Sequence, residues 1–435
     1  MILIICCTIV LIFELYLIYR NPKIDKCLFL YFVFSSFLWV IIPSILTLLD
    51  KSGLHNIEYT KDVFVKYAFY EFLLYIIVLF FVNKSPTVKV IYYGKRISNT
   101  LCVFNVFWYF FFVIVVINIF VLLSSTVAYS QNNDIFYKEE QSTNFLSFFT
   151  NYAVAFFFIS IFYYKEYLGY LKMILTYIIL FVNVFTIVLQ GSRMQLIFLF
   201  FLVLFYILKS EPQKRCKYLV CLFVLITITS MIIPAIAGIR KYGKMTVGKV
   251  IEAIENPAEE NTFIFQLVLK LNSINTGSAL VEEEEHPFLI PYFNSFSGGI
   301  PNFIYPGKRP VPGSANGEFT GLPSRIAAYH VMGDWRFANV GVSTSARALW
   351  HGGHLFYVLT IFILTIWFRY LNTLLFLKNF YARMLAFYFA LTGLFIFPTG
   401  EMIITELVKQ PMFYLFFIFL ASLVSLKKKV LYVNC

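Results

Sequence analysis

The sequence predicts an all-α polytopic membrane protein, on the strength of its composition, its apolar runs and one long polar interruption. Hydrophobic residues make up 60% of the chain, charged residues only 13%, and the mean hydropathy is +0.77. A soluble protein of 435 residues would need more charged residues than this chain has to cover its surface. The apolar residues fall into about eleven runs, each of roughly the length that a helix needs to cross ~30 Å of hydrocarbon.

The runs divide the chain into three regions. Residues 1–236 hold predicted transmembrane helices 1–8, residues 237–352 form a large, partly helical loop, and residues 353–435 hold helices 9–11 and the C-terminus. The first run lacks a basic start and a small-residue cleavage site, so we expect it to be retained as a span. The predicted spans lie near residues 1–19, 27–49, 63–82, 100–123, 147–163, 171–189, 193–208, 217–236, 353–371, 380–398 and 411–426.

The loops between the spans alternate between basic and nearly neutral, and this alternation predicts the orientation. Nineteen Lys and Arg residues lie in one set of loops, and five lie in the other short loops. Because basic loops stay in the cytoplasm, we expect the N-terminus and residues 237–352 to face outwards and the C-terminus inwards. The formal net charge of +12 therefore reflects topology, and the sequence predicts no nucleic-acid partner.

Metal and nucleotide motifs are missing from the sequence. The five aspartates form no DxD pair, and neither a GxxxxGK[ST] loop nor an HExxH helix is present. His351 and His354 have the spacing of one helical face, but two ligands do not make a zinc site. The seven cysteines form no CxxC pair and no disulfide framework. We therefore expect no cofactor and no metal.

The long loop has two parts with different character. Residues 239–280 read as helical, with an apolar face that suits either the membrane surface or packing on the bundle. The acidic run Glu282–Glu285 suits a helix end or a solvated face. Residues 286–323 are rich in Pro and Gly, and they cannot form one long helix. Their aromatic rings could stack on sugars or anchor the loop at the headgroups.

Two arginines stand out at predicted outer ends of spans. Arg193 follows Gly191-Ser192, where the orientation rule disfavours a cation, and Arg240 begins the long loop. Arginine near the hydrocarbon edge is costly unless it pairs, snorkels or serves a function. Its planar fork holds two oxygens of an oxyanion at once. Together these residues predict a cationic pocket at the depth where a lipid diphosphate carries its charge.

Two acids lie within predicted spans. Glu14 and Glu71 could mark a proton or ion path through the membrane. The sequence assigns neither of them a basic partner at similar depth, so they favour a transporter only weakly.

The chain resembles the oligosaccharide repeat-unit polymerases, the O-antigen polymerase family of bacterial inner membranes. Short motifs carry the resemblance: Gly191-Ser192-Arg193, Arg240, Pro301-Asn302-Phe303, the stretch from Tyr305 to Pro310, and "STSARALWHGGHLF" at residues 343–356. The layout of nearly the whole chain also fits. One departure concerns the last motif, because the family often has an acidic residue near the position of Arg347 and this sequence has none there.

The resemblance implies a metal-independent glycosyltransferase of the bacterial inner membrane that uses undecaprenyl-diphosphate-linked glycans. The hydroxyl of a fresh repeat unit would attack the anomeric carbon of the growing chain, and undecaprenyl diphosphate would leave. Membrane lipid and a chain-length regulator protein are the expected partners. The candidate residues are Arg193, Arg240, Arg325 and Arg347 for the diphosphate, and Asp334, His351 and Glu318 for the general base.

Three other activities share parts of this pattern. An O-antigen ligase has the same plan of many spans and a large outer loop. A flippase or other transporter of lipid-linked oligosaccharides is disfavoured by the odd number of spans and the lack of an internal repeat. An acyltransferase would need a histidine within reach of a cytoplasmic donor, whereas the clustered histidines are predicted to lie outside.

Overall fold

The computed structural model describes residues 2–49, 61–84, 101–129, 273–283 and 341–376, most of 153–189, and scattered positions at 203–227 and 382–386. Every regular element among these residues is helical. The described helices belong to two compact units. Four of the helices are long and apolar enough to cross a membrane, as the hydropathy pattern predicted. The predicted spans at 193–208, 217–236, 380–398 and 411–426 lie largely outside the described residues.

The first unit contains most of the described helices. Helices α1 (Ile2–Arg20) and α8 (Thr344–Phe376) both pack along α4 (Lys61–Lys84), and α2 (Lys26–Ser36) packs beside α1. The predicted bounds of the first three spans lie within two residues of the observed helices. The unit consists of α1 (Ile2–Arg20), α2 (Lys26–Ser36), a π-helical turn (Phe37–Ile41), α3 (Ile42–Leu48), α4 (Lys61–Lys84), α7 (Ser273–Glu283) and α8 (Thr344–Phe376).

The second span is continuous through α2, the π-helical turn and α3. Asp25 caps its start by accepting a hydrogen bond from the backbone N–H of Cys27 at 2.8 Å. Pro43 lies at the start of α3, where its ring would clash with the carbonyl of an ordinary helical turn. The π-helical turn precedes it, and the N–H of Ile42 bonds to the carbonyl of Phe37. The wider turn therefore accommodates a proline inside the span.

Three helix ends meet at one end of this unit. The Asn21 amide after α1 donates to the backbone carbonyl of Asn83 near the end of α4, at 3.0 Å. The side-chain amide of Asn372, near the end of α8, donates to the carbonyl of Lys23 at 2.9 Å. The side-chain oxygen of Asn372 accepts from the backbone N–H of Asp25. Helices α1, α4 and α8 thus run parallel, as the predicted alternation of the loops requires.

The described parts of the predicted outer loop pack against the spans. Residues 273–280 of α7 are all buried, and α7 contacts α3, α4 and α8. Of the two settings that the sequence left open for residues 239–280, residues 273–280 show packing on the bundle, and residues 239–272 lie outside the described part of the chain. Glu282 and Glu283 of the acidic run belong to this helix, and the rest of the run lies outside the described residues.

The second unit is built on α5 (Leu101–Tyr129) and α6 (Lys165–Leu189). Trp108 donates through its indole N–H to the Thr176 hydroxyl at 3.0 Å, and the Lys172 ammonium donates to the side-chain oxygen of Asn105 at 2.6 Å. Phe156 packs against Phe111 with ring centroids 5.0 Å apart. These contacts join α5 to α6 and to residues 153–161.

Candidate functional site

A break at two adjacent glycines divides α8 into a short segment and a long span. Gly352 has φ 177° and ψ 31°, and Gly353 has φ 66° and ψ −153°. The second pair of angles lies in a region that essentially only glycine adopts. Residues 344–351 therefore form a separate helical segment, which we call the buried segment, and the span follows from residue 354.

The buried segment is polar, yet it is enclosed by protein. Every residue from Thr344 to His351 is buried, with Arg347 2% exposed and His351 fully covered. Trp350, Ala346 and Val342 form a small apolar cluster with Leu280 of α7. The segment is thus fixed against α7 by apolar packing, and its polar side chains must find partners inside the protein.

Helix α7 lies unusually close to the buried segment. A Cβ atom on Gly277 would stand 2.5 Å from the Cβ of Ala346 and 2.9 Å from the hydroxyl of Ser343. The backbone N–H of Ser343 donates to the Ser273 carbonyl at 2.9 Å, and the Thr276 hydroxyl donates to the Gly341 carbonyl. Small residues permit this approach, as they do between helices in membranes.

Glu71 of α4 meets the N-terminus of the buried segment. Its side chain is 1% exposed, and one carboxylate oxygen accepts a hydrogen bond from the N–H of Ser345 at 2.8 Å. The guanidinium of Arg347 lies within electrostatic range of the same carboxylate. A carboxylate satisfies the first N–H groups of a helix and complements the positive end of its dipole.

Arg347 also bonds to the backbone that leads into the buried segment. One guanidinium nitrogen, Nη2, donates to the carbonyl of Val342 at 3.2 Å, five residues back in the chain. His351 lies four residues further on, on the same face of the helical segment, and its ring stands 5.0 Å from that of Trp350. The structure therefore groups a carboxylate, a guanidinium and an imidazole inside the first unit.

The depth of this group follows from helix geometry. Glu71 lies about 15 Å along the axis of α4 from its first residue, Lys61, at 1.5 Å per residue. That distance is about half of the hydrocarbon thickness. Glu71, which meets the N-terminus of the buried segment, therefore lies near the middle of the candidate span Asp62–Lys84.

A second polar contact fixes the far end of α7. The Tyr67 hydroxyl donates to Glu282 at 2.6 Å, and the Lys66 ammonium pairs with the same carboxylate oxygen at 2.9 Å. The hydrogen bond from Tyr67, followed by the bond and charge of Lys66, lowers the pKa of Glu282 below its ordinary value. Glu282 of the acidic run thus makes a specific contact with α4.

The lowered pKa of Glu282 predicts a pH-dependent stability. Its contribution is complete above the unfolded pKa of about 4.3 and is lost as the pH falls through the lower, folded value. We expect Glu282→Gln to lower the thermal midpoint in detergent at pH 7 and to matter progressively less below pH ~4. Because the pair is partly exposed, the effect is about 0.5 kcal/mol. Lys66→Met is the control, because it removes the charge of Lys66 and keeps the hydrogen bond from Tyr67 to Glu282. A difference in thermal midpoint between Glu282→Gln and the wild type that did not change with pH would contradict the assignment.

Of the seven predicted site residues, the structure describes two. Arg347 and His351 lie together on the buried segment, beside Glu71. Sequence reasoning gave Glu71 no basic neighbour, whereas the structure places Arg347 within electrostatic range of it. The only available signal was an acid within an apolar run. The residues outside the described part of the chain are Arg193, Arg240, Arg325, Asp334 and Glu318.

The two neighbouring histidines have different surroundings. His351 is buried, whereas His354 is exposed and shares a 2.9 Å hydrogen bond with the hydroxyl of Tyr70. The Tyr357 hydroxyl donates to the Tyr70 carbonyl at 2.7 Å. The glycine break lies between the two histidines. They therefore do not share one face of a continuous helix, although their spacing in the sequence would allow it.

Fold and site together define an α-helical membrane protein with a polar, charged segment buried among its spans. Comparison of the chain with protein-family models, with characterised proteins and with solved structures gave no match. The functional assignment therefore depends on the residues themselves and on their geometry.

Proposed function

We propose that this protein is a membrane-embedded glycosyltransferase that polymerises undecaprenyl-diphosphate-linked oligosaccharide repeat units into O-antigen or a similar surface polysaccharide. The observation that carries the proposal is the buried segment, which brings Arg347 and His351 beside Glu71 in a helical bundle. Ionisable groups at this depth are costly, and membrane proteins retain them mainly where they serve a function. The motif at residues 343–356, which carries the family resemblance, coincides with this segment.

The proposed site faces the periplasm of a bacterial inner membrane. The basic loops predicted to be cytoplasmic follow α1, α4 and α8 at the end where Asn21, Asn83 and Asn372 meet. Lys66 and Glu282 pair towards the opposite end of α4, which is the end predicted to face outwards. A lipid-linked glycan in the outer leaflet would approach from that end.

The reaction needs little from the protein beyond positioned charge and a base. The acceptor hydroxyl attacks the anomeric carbon, its proton passes to a base, and the bond from that carbon to the diphosphate oxygen breaks. Undecaprenyl diphosphate leaves with the bonding electron pair, and preorganised guanidinium groups stabilise the developing charge. Arg193 and Arg240 are assigned to contact the diphosphate, with Arg325 as a second-tier candidate.

The remaining candidates have supporting roles in the proposal. Arg347, which is buried, acts from beneath the site through its charge and its bond to the backbone. Of the three candidate bases, Asp334 and Glu318 are assigned to lie within hydrogen-bond reach of the acceptor hydroxyl in the assembled site. His351 is fully buried and lies with Arg347 on the buried segment. The carrier lipid explains why the site lies in a membrane bundle.

The test is complementation of cells that lack the gene. We expect the wild-type chain to restore long polymer, and Arg193→Ala or Arg240→Ala to leave mainly single repeat units, because one lost charge-stabilising donor costs about 10²–10³ in rate. Arg20→Ala is the control, since this arginine stacks on Tyr16 at the opposite end of α1. The readout is polymer length on gels at matched expression.

Three results would redirect the proposal. Complete loss of surface glycan caps, with polymer still made, would indicate a ligase. Transport of lipid-linked oligosaccharide in liposomes without elongation would indicate a flippase. Full-length polymer from either arginine variant would remove that residue from the diphosphate site.

A further inference from the structure

We propose that Glu71 is a positioning residue that holds the buried segment, and with it Arg347, at its depth in the membrane. Its effect on glycan polymerisation rests on the proposed function, whereas its effect on the docking of the segment does not. Glu71 is 1% exposed, so it is not placed to touch a substrate. Its contacts are instead with the backbone and side chains of the segment that carries Arg347 and His351.

The first argument concerns the backbone of the buried segment. The first N–H groups of any helix lack partners within the helix, and inside a bilayer water does not supply them. Glu71 accepts from the N–H of Ser345 at 2.8 Å. Ser343 uses its own N–H on the Ser273 carbonyl of α7. Without the carboxylate, the N–H of Ser345 would lose its acceptor inside the protein, which disfavours the docked form of the segment.

The second argument concerns charge. Residues 341–351 contain one charged side chain, Arg347, and no acid. Arg347 is buried and lies within electrostatic range of Glu71. A buried cation is tolerated when it is paired, and removal of one partner leaves the other uncompensated. Glu71, on a separate helix, therefore supplies a negative charge that residues 341–351 themselves lack.

A different role for Glu71, as a step in a proton path, predicts other behaviour. The titratable groups that interact with Glu71 are Arg347 and the hydroxyls of Tyr75 and Tyr357. A proton carrier would need the ionisable carboxyl group itself, whereas a positioning residue needs hydrogen-bond acceptors in the right place. Glu71→Gln and Glu71→Ala therefore separate the two roles, because glutamine keeps an acceptor oxygen and alanine does not.

The test measures docking by thiol accessibility in intact cells, in a full-length chain whose natural cysteines are replaced. Ser343→Cys introduces a thiol at a position that is 1% exposed, and a membrane-impermeant maleimide is the probe. We expect slow labelling with Glu71 present and labelling roughly 10²-fold faster with Glu71→Ala, because the segment opens locally. Glu71→Gln should be intermediate, and Glu71→Asp should restore much of the protection.

Two controls keep general unfolding apart from local release. Glu14→Gln removes the other intramembrane acid of the unit, on α1, and should leave the labelling unchanged. Asp62→Cys, at the exposed start of α4, should label equally in all backgrounds. In a double-mutant cycle, Glu71→Gln should speed the labelling less in the Arg347→Gln background than in the wild-type background, since the interaction between the two side chains has already been removed.

Each outcome decides something. Unchanged labelling with Glu71→Ala overturns the proposal. Faster labelling accompanied by normal polymer length supports the holding role and shows that polymerisation does not need the docked segment. Glu71→Gln that abolishes polymer while the thiol stays protected also overturns the proposal, in favour of a proton-carrying role. If no version of the chain elongates glycans, the proposed function fails, while the labelling still establishes whether Glu71 holds the segment.

Discussion

Gly353→Ala is expected to stop polymer formation and to destabilise the docked form of the buried segment. Gly353 has φ 66° and ψ −153°, and a side chain in this region costs about 1–3 kcal/mol. A Cβ atom there would meet no heavy atom within 4 Å, so the cost comes from the backbone alone. The chain can relieve it by continuing the helix through the break, which displaces Arg347 from Glu71. Polymer length and the accessibility of the Ser343→Cys thiol measure both effects.

Gly352 provides the matched comparison for this prediction. Its φ of 177° is ordinary extended backbone, but a Cβ atom would lie 2.2 Å from Cδ2 of Phe356. Gly352→Ala should therefore be harmful for steric reasons, and a second change, Phe356→Ala, should relieve it. The same second change should not rescue Gly353→Ala. Rescue of both variants, or normal polymer from Gly353→Ala alone, would mean that the left-handed turn is not required.

Gly277→Ala is expected to separate α7 from the buried segment. The new methyl group would stand 2.5 Å from the Cβ of Ala346 and 2.9 Å from the Ser343 hydroxyl, well inside van der Waals contact. Overpacking of this kind costs about 1–3 kcal/mol. We expect a lower thermal midpoint of the purified protein in detergent and a more accessible Ser343→Cys thiol.

Two further variants test the Gly277→Ala prediction, one beside Gly277 on α7 and one opposite it on the buried segment. Ser278→Ala, one residue along α7, removes a hydroxyl that donates to the carbonyl of Ile274 within the helix and should be nearly neutral. Ala346→Gly removes the methyl group that Gly277→Ala would strike, so the double variant should recover much of the lost stability. If the single variant is as stable as the wild type, the close approach of these helices does not hold.

The candidate site was only partly predictable because its members come from distant parts of the chain. Arg347 and His351 were identified from the motif that carries the resemblance, and both lie in the buried segment. Their partner, Glu71, bonds to Ser345 across 274 residues of sequence. No local pattern reports such a contact, since hydropathy and spacing describe only neighbours along one helix. The Lys66 contact to Glu282, across 216 residues, was invisible for the same reason.

By itself, the sequence determined that the chain is a helical membrane protein and where its first three spans begin and end. Burial in lipid requires long uninterrupted apolar helices, and this requirement is written directly in the hydropathy. The tertiary structure decided that α7 enters the bundle, that residues 344–351 are enclosed with it, and that Glu71 meets them there. These features depend on which polar groups satisfy one another and on where Gly277 lets two backbones approach, and both are properties of packing.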